Sequence, residues 1–462
     1  MNNAALEAVR RATEDSEYEG RLWLVGGAVR DTLLGQAVGS DYDIVLEGDS
    51  AALAEFLWKA GVSTIAPVVY PRFGTALVHV EHSNIEIVTA RKESYESRSR
   101  KPAVASATLE EDALRRDFTV NTLLLNLHTN EFRDPLGTGL SHLLARVLQT
   151  PLDPDETFHD DPLRMLRAVR FRWKLGFVPA PGLYESIAAQ RHRLEIVSAE
   201  RIRDEIVKML ALADADRCLA DLMDTGLLDV IAPEFRAMIG GPSGDYHHLD
   251  VWEHTLLALR NAGSADLVLS LAVLLHDVGK PITRTTDSDG RTRFFGHESA
   301  SEAIAREVLR RMKFPGDEVS AVCLLVKNHM RLQSAEALSD PAVRRLVRDL
   351  GDQLDRLLSL AEADSRALRP GVKCLDIAAI RARVAEVSAQ TPRKSLRSPL
   401  SGSEIMAILG IGPGPRVGQV KAQLTEKVME GALAPDDRES AARVVRDLQA
   451  EIKSVPPKEA RT

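Results

Sequence analysis

The sequence predicts an α+β head with a small sheet and flanking helices, followed by a mostly α-helical remainder. Three observations predict it. Apolar strand-like runs alternate with helical stretches over roughly the first 140 residues. Past that point the readable pattern is helix after helix, broken by glycine and proline turns. The 462 residues are 44% hydrophobic and 5% aromatic, rich in Ala, Leu, Arg and Glu, a balance that favours helix.

Taken in order, residues 4–16 read as an amphipathic helix. Leu24 and Val25 read as a strand, which Gly26 and Gly27 break. Ala28 to Leu34 has helical composition and ends near Gly35. A polar turn leads to a second strand carrying Asp41 and Asp43 on either side of Tyr42. Ala51 to Ala60 reads as a helix, and Gly74 to Val80 and Ile85 to Thr89 as strands. Residues 94–110, polar and poor in core residues, read as an exposed loop. A strand follows at TLLLNL, then a turn at Asp134 to Gly137.

The stretch from 24 to 47 carries the chemistry. Residues two apart on a strand point to one face, so the Asp41 and Asp43 carboxylates sit side by side. Like charges that close repel unless a cation lies between them, which a pair of divalent metals supplies. Gly26 and Gly27 let backbone approach a phosphate, and the following helix offers N–H groups to it. Metals and a phosphate cradle in one unit spell phosphoryl or nucleotidyl transfer.

Composition bounds the rest. The net charge of −8 gives no global basic field, so nucleic acid must be met by local patches. Cys218, Cys323 and Cys374 are scattered, without a C-x-x-C, which fits a reducing cytoplasm and argues against a disulfide framework or zinc finger. The opening residues resemble neither a signal nor a transit peptide. No apolar run approaches the roughly 20 residues that span a bilayer.

GG-x-VRD-x-LLG followed by D-x-D resembles the signature of the polymerase-β-like nucleotidyltransferases, in the branch holding bacterial CCA-adding tRNA nucleotidyltransferases and poly(A) polymerases. The resemblance implies that Asp41 and Asp43 bind Mg²⁺, that Arg30 and Asp31 shape the phosphate cradle, and that Glu86 is a third metal ligand or the base for the attacking hydroxyl. RRDFTVN, from Arg115 to Asn121, matches the family's ribose motif: Asp117 and Asn121 meet sugar hydroxyls while Arg115 and Arg116 meet phosphates. Family members that add the terminal A carry a flexible loop where this chain has 94–110, which argues against an enzyme limited to adding CC. Between Asp134 and Thr150, His142 and Gln149 stand where the family has Asp and Arg.

The run DDPLRMLRAVRFRWKLGF resembles the family's E-D-x-x-R base-selecting motif, with Asp160 in place of the Glu. Asp161 and Arg164, three residues apart, are expected on one helix face. Cytosine and adenine each present an amino donor beside a ring-nitrogen acceptor. Asp accepts from the first and Arg donates to the second, whereas guanine and uracil invert both bonds at a cost of several kcal/mol. One Asp–Arg pair therefore takes CTP and ATP without a nucleic-acid template. Arg167 and Arg170 continue along the helix toward the triphosphate. Glu200, Arg201 and Glu205 form E-R-x-x-x-E, whose i, i+4 pair supports a helix in the neck.

From residue 246 the vocabulary changes to YHHLDVWEH, LLHDVGKP, FFGHES and VKNHM. Asp250 and His254 are four apart on an expected helix, and an adjacent His-Asp follows an apolar helix. This resembles the HD phosphohydrolase superfamily. By that match His254, His276, Asp277 and Asp364 hold one metal, leaving His297 and His329 to hold a second or orient substrate, and Lys280 to meet a phosphate. Nitrogen and carboxylate ligands suit Mg, Mn, Fe, Ni or Co, a divalent transition metal or Mg²⁺. The alternative is an inherited, inactive domain. In the tail, Gly410, Gly412, Gly414 and Gly418 flank an expected turn between two helices that resembles an RNA-contacting element, and the last ten residues read as disordered.

These expectations sum to four parts: a nucleotidyltransferase head at 1–150, a nucleotide-selecting helical neck at 151–240, an HD-type domain at 241–370 and an RNA-contacting tail at 371–462. The reading is a cytoplasmic enzyme adding CCA to tRNA from CTP and ATP, with no membrane partner. Its rivals are a poly(A) polymerase or A-adding enzyme, a metal phosphohydrolase whose head binds RNA, and an RNA-binding module without turnover.

Overall fold

The computed structural model describes residues 3–94, 103–241, 249–263, 266–332 and 339–454. The chain divides into two compact units, one of residues 1–237 with 311–314, the other of residues 238–310 with 315–462.

The first unit opens with helix α1 (Ala4–Thr13), whose first turn is capped by the Asn3 side chain, and strand β1 (Trp23–Val25). Helix α2 (Gly27–Leu33) and strand β2 (Asp41–Leu46) follow. Then come α3 (Ser50–Lys59), β3 (Val68–Tyr70), β4 (Thr75–Val80) and β5 (Ser83–Thr89). After β6 (Arg91–Ser94), β7 (Ala103–Ser106) and α4 (Leu109–Leu114), strands β8 (Leu124–Asn126) and β9 (Phe132–Arg133) complete a seven-stranded sheet of order β3-β4-β5-β2-β1-β8-β9. Only β2 and β5 run parallel in it; the other pairs are antiparallel. Ile44, Val45 and Leu46 are all buried, so the second half of β2 is covered on both faces, whereas β5 buries Ile85 and Ile87 and turns Asn84 and Glu86 outward.

The expected loop at 94–110 is in part regular structure: β7 pairs with β6, and α4 begins at Leu109 behind a Thr108–Glu111 capping box. Backbone pairing and a cap override the polar composition there. Residues 95–102 lie outside the described residues.

The helical part of this unit runs α5 (Gly139–Ala145), the short parallel pair β10 (Val147–Leu148) and β11 (Val178–Pro179), α6 (Pro154–Asp160), α7 (Leu163–Leu175), α8 (Leu183–Gln190), α9 (Ala199–Leu210), α10 (Ala215–Asp224) and α11 (Leu227–Ile231).

Among its described residues the second unit is mostly helical, with one small hairpin. Its helices are α12 (Val251–Ala262), α13 (Leu267–Leu275), α14 (Lys280–Thr283), α15 (His297–Arg311), α16 (Gly316–Asn328), α17 (Asp340–Leu350), α18 (Leu354–Ser365), α19 (Ile377–Gln390), α20 (Gly402–Leu409), α21 (Pro415–Met429) and α22 (Arg438–Ser454). Strands β12 (Thr285–Thr286) and β13 (Thr292–Arg293) form the hairpin. The last three helices share an apolar cluster of Ile405, Leu409, Val420, Leu424, Val428 and Val445. Gly410 ends α20 at φ 67°, as a turn glycine should, but Gly418 sits inside α21 rather than beside the turn. The tail beyond Ser454 lies outside the described residues.

Candidate active site and metal centre

Strand pairing assembles the acidic site. Asp43 sits opposite Val25 of β1 on one side and Glu86 of β5 on the other, strands about 4.8 Å apart. Alternation buries Tyr42 and turns Asp41 with Asp43 to the other face. Asn84, the register partner of Asp41, donates its amide to Asp41 Oδ1 at 3.1 Å. Burial pushes Asp43 above the usual carboxylate range, and Arg116 and Arg167 only partly oppose it. Burial also pushes Glu86 up, and the charge on Asp43 adds to it. Acids raised by burial and by one another are what a divalent cation relieves, so these residues fit a metal site.

Gly26 carries φ 75° and caps α2; a Cβ there would lie 3.2 Å from Asp43 Oδ2. The positive φ favours glycine and the Asp43 contact is tight, and no side chain caps the first turn of α2. Gly27 follows as the first residue of that helix. Arg30 is 1% exposed and does not face solvent. Its guanidinium bonds Asp31 Oδ1 at 2.7 Å and Asn121 Oδ1 at 2.5 Å, and lies 5.2 Å from the Phe171 ring. Arg30 is thus held inside the fold by Asp31, Asn121 and the Phe171 ring.

The ribose motif is a saturated network. Asp117, 8% exposed, accepts the Phe118 N–H at 2.8 Å, the Asn121 amide at 2.9 Å and Arg167 Nε at 2.8 Å. Burial opposes its charge, yet Arg167 and Asn121 hold it down at about 2. Arg115 and Arg116 both bond the buried Asp112, which sequence reasoning missed. Its spacing, three and four residues ahead of the arginines on one helical turn, was the available signal.

The base-selecting pair is built differently from the expectation. Asp161 is not on the helix face with Arg164: it lies in extended backbone between α6 and α7, where Pro162 starts the next helix. Its Oδ1 accepts the Leu163 N–H at 3.2 Å and its Oδ2 accepts Arg201 Nη2 at 2.9 Å. Arg164 instead donates to the Thr157 carbonyl at 3.3 Å and to the Arg115 carbonyl. Nor do Arg201 and Glu205 pair with each other: Glu205, 2% exposed, takes Arg170 Nε at 2.6 Å. Arg30, Arg167 and Arg170 all lie within 5.4 Å of the Phe171 ring centroid, so one aromatic packs three cations that acids neutralise.

In the second unit, helix ends converge. His254 projects from α12, His276 and Asp277 follow the last turn of α13, His297 opens α15, His329 ends α16 and Asp364 closes α18. Asp250 stands apart: it is the N-cap of α12, in a capping box with Glu253, and is spent on the helix end. The ring Nδ1 atoms of His276, His297 and His329 lie 2.7, 2.8 and 2.6 Å from the Val273, Phe294 and Val326 carbonyls, and that of His254 lies 3.4 Å from the Ala367 carbonyl. Each Nδ1 donates there, which turns every Nε2 toward the centre.

There, His254 Nε2 is 2.9 Å from Asp364 Oδ1, His276 Nε2 is 3.1 Å from Asp277 Oδ2, and His297 Nε2 is 3.4 Å from Asp277 Oδ1. Two triads of ligand atoms form, His254–His276–Asp277 and Asp277–His297–His329, sharing Asp277. His276 Nε2 and both Asp277 oxygens are buried with no hydrogen bond among the described residues. Burial opposes a proton on His276, but Asp277 and Asp364 push it up to about 10. Lys280 Nζ lies 2.6 Å from Asp277 Oδ2, so that cation faces the cluster rather than solvent. Gly279 is fixed by a close approach: a Cβ would fall 2.5 Å from the Ser301 nitrogen.

A three-acid strand site beside a glycine-opened helix, with an HD-type ligand cluster on helices, defines a nucleotidyltransferase head joined to a metal-binding helical unit. Family models match accordingly: the poly A polymerase head domain over residues 22–149, the probable RNA and SrmB-binding site of polymerase A over 176–239, and the HD domain over 244–378. The A-adding tRNA nucleotidyltransferase of Deinococcus radiodurans is 38% identical over 87% of this chain and 90% of its own length. The CC-adding tRNA nucleotidyltransferase of Thermus thermophilus is 34% identical over 90% and 92%. The chain belongs to the tRNA nucleotidyltransferase family. Its fold matches the Bacillus stearothermophilus CCA-adding enzyme crystallised with CTP at a TM-score of 0.71 and 22% identity, covering 98% of this chain and all of that one. It also matches the Thermotoga maritima CCA-adding enzyme complexed with tRNA at 0.57 and 19%, covering 96% and 94%. No helix among the described residues is long and apolar enough to cross a membrane.

Proposed function

We propose that this chain is a template-independent nucleotidyltransferase adding C, C and A from CTP and ATP to the 3′ end of tRNA in the cytoplasm. The observation that carries the reading is the strand register that sets Asp41, Asp43 and Glu86 on one site. Asp41 and Asp43 would hold two Mg²⁺ ions, with Glu86 as a third ligand or as acceptor of the 3′-hydroxyl proton. Bound Mg²⁺ supplies charge neutralisation on the departing pyrophosphate and acidifies the attacking hydroxyl. Gly26 and Gly27 admit the triphosphate, and Arg116 and Arg167, both felt electrostatically at Asp43, steady it. Asp161, oriented by Arg201, accepts the base amino group. Arg164 commits one N–H to each of two carbonyls, and a guanidinium has five, so donors remain for the ring nitrogen.

A second reading, addition of the terminal A alone, is favoured by the 38% identity to an A-adding enzyme. Incubating tRNA that lacks CCA, and tRNA that ends in CC, with CTP and ATP singly and together separates the two. Incorporation of A onto the CC end only would replace the CCA reading with the second.

The HD cluster would hold Mg²⁺, Mn, Fe, Ni or Co through His254, His276, Asp277 and Asp364, with His297 and His329 as further ligands. Its reading is hydrolysis of a terminal or 2′,3′-cyclic phosphate. The tail from residue 371 would contact the tRNA body.

A further inference from the structure

We infer that the outer strands of the head sheet seat the 3′-terminal nucleotide of the RNA, with Leu77 beneath its ribose and Val68 and Tyr70 beneath its base. The inference rests on the nucleotidyltransferase reading above and adds the place of the incoming RNA end. Strand register supplies the geometry. Asp43, Glu86, Leu77 and Val68 are partners in turn across β2, β5, β4 and β3, so they form one row on one face of the sheet. With strands about 4.8 Å apart, Leu77 lies about 5 Å beyond Glu86 and Val68 about 10 Å beyond it. Tyr70, two residues along β3 from Val68, shares that face.

The direction of the row decides what it carries. On the other side of Asp43 stands Val25 of β1, followed by Gly26, where a Cβ would fall 3.2 Å from Asp43 Oδ2. The glycine cradle for the triphosphate is therefore on the β1 side of the acids. In phosphoryl transfer the attacking and leaving oxygens lie in line, on opposite sides of the phosphorus. With pyrophosphate leaving on the β1 side, the 3′-hydroxyl arrives from the β5 side, and the nucleotide that bears it lies over β4 and β3.

The surface there suits a nucleotide. Val68 and Tyr70 are 44 and 47% exposed. The edge strand β3, Val-Val-Tyr, holds no charge, although sheet edges are normally blunted by one. An aromatic ring stacks on any base, because every base presents a π-face. An end that changes identity as C, C and A are added needs that tolerance. Arg72, exposed on the turn between β3 and β4, supplies a cation for the backbone phosphate.

The test uses the full-length chain with Mg²⁺, CTP, ATP and tRNA lacking CCA, and compares the wild type with Tyr70→Ala, Tyr70→Trp and Val68→Ser. The expected result is a KM for tRNA raised about tenfold in Tyr70→Ala and restored in Tyr70→Trp. Val68→Ser should raise the same KM, and the KM for CTP and the melting temperature should stay unchanged in all three. An unchanged KM for tRNA, an equal rise in the KM for tRNA and for CTP, or a dimer that dissociates in Tyr70→Ala with the KM for tRNA unaltered would overturn the seat. Photo-crosslinking of tRNA whose last nucleotide is 4-thiouridine needs no turnover, and should label residues 68–77 of the wild type. Label confined to residues beyond 150 would refute the seat even in an active enzyme, whereas a wild type that extends no tRNA yet labels 68–77 would refute the transfer reading alone.

Discussion

Asp43 is a carboxyl that its surroundings disfavour as an ion. Burial raises its carboxyl, and Asp41 and Asp117 add to the repulsion. Asp43→Asn should lower incorporation about a hundredfold or more while raising the melting temperature, since it deletes a charge that burial disfavours and that Arg116 and Arg167 only partly offset. A melting temperature that falls would show the charge to be structural. Asp117 has the opposite sign. Its carboxyl is depressed to about 2 by Arg167 and Asn121, against burial. A depressed acid stabilises the fold above its unfolded value and loses that contribution as pH falls through the folded one. The loss, on the order of 2 kcal/mol, spreads from about pH 5 down to below pH 2. Acid titration of unfolding in the wild type and Asp117→Asn measures it, and parallel curves would contradict it. Gly26→Ala should cost activity and stability together, because the positive φ strains an alanine and its Cβ would push the Asp43 side chain aside.

At the scale of elements, the strands were legible and the connections between helices were not. Alternation around Tyr42 announced the face of β2, and the register of β5 then delivered Glu86 beside Asp43. Asp41 and Asp43 could be paired because a strand's period is two, whereas Glu86 was reached only through the family resemblance. The base-selecting pair could not, because Pro162 breaks the chain between Asp161 and Arg164 and a spacing of three no longer means neighbours. Tertiary packing then hands Asp161 to Arg201 of α9, a partner forty residues away that no local pattern discloses. Asp250 shows the same limit: four residues ahead of His254, it is a helix cap because the helix starts one residue later. Arg201→Gln should therefore leave the fold intact and relax base choice, with GTP and UTP incorporation rising at least tenfold relative to CTP and ATP. Uniform loss across all four nucleotides would make Arg201 merely structural.

For the whole molecule, the acidic strand site and the histidine cluster lie in separate compact units, each drawn from its own unit's residues. The sequence disclosed both as motifs, and the histidine set survived folding because its members lie at helix ends that a bundle brings to one point. The units should then be separable by substitution. His276→Ala with Asp277→Ala should empty the HD cluster of metal, read by elemental analysis, without changing nucleotide addition.

The most direct measurement is incorporation of labelled CMP and AMP into tRNA lacking its CCA end, by the wild type, by Asp41→Ala with Asp43→Ala, and by His276→Ala with Asp277→Ala. Full addition by the first and third proteins, and none by the second, is expected. Addition that persists without Asp41 and Asp43, or that vanishes with His276 and Asp277, would contradict it.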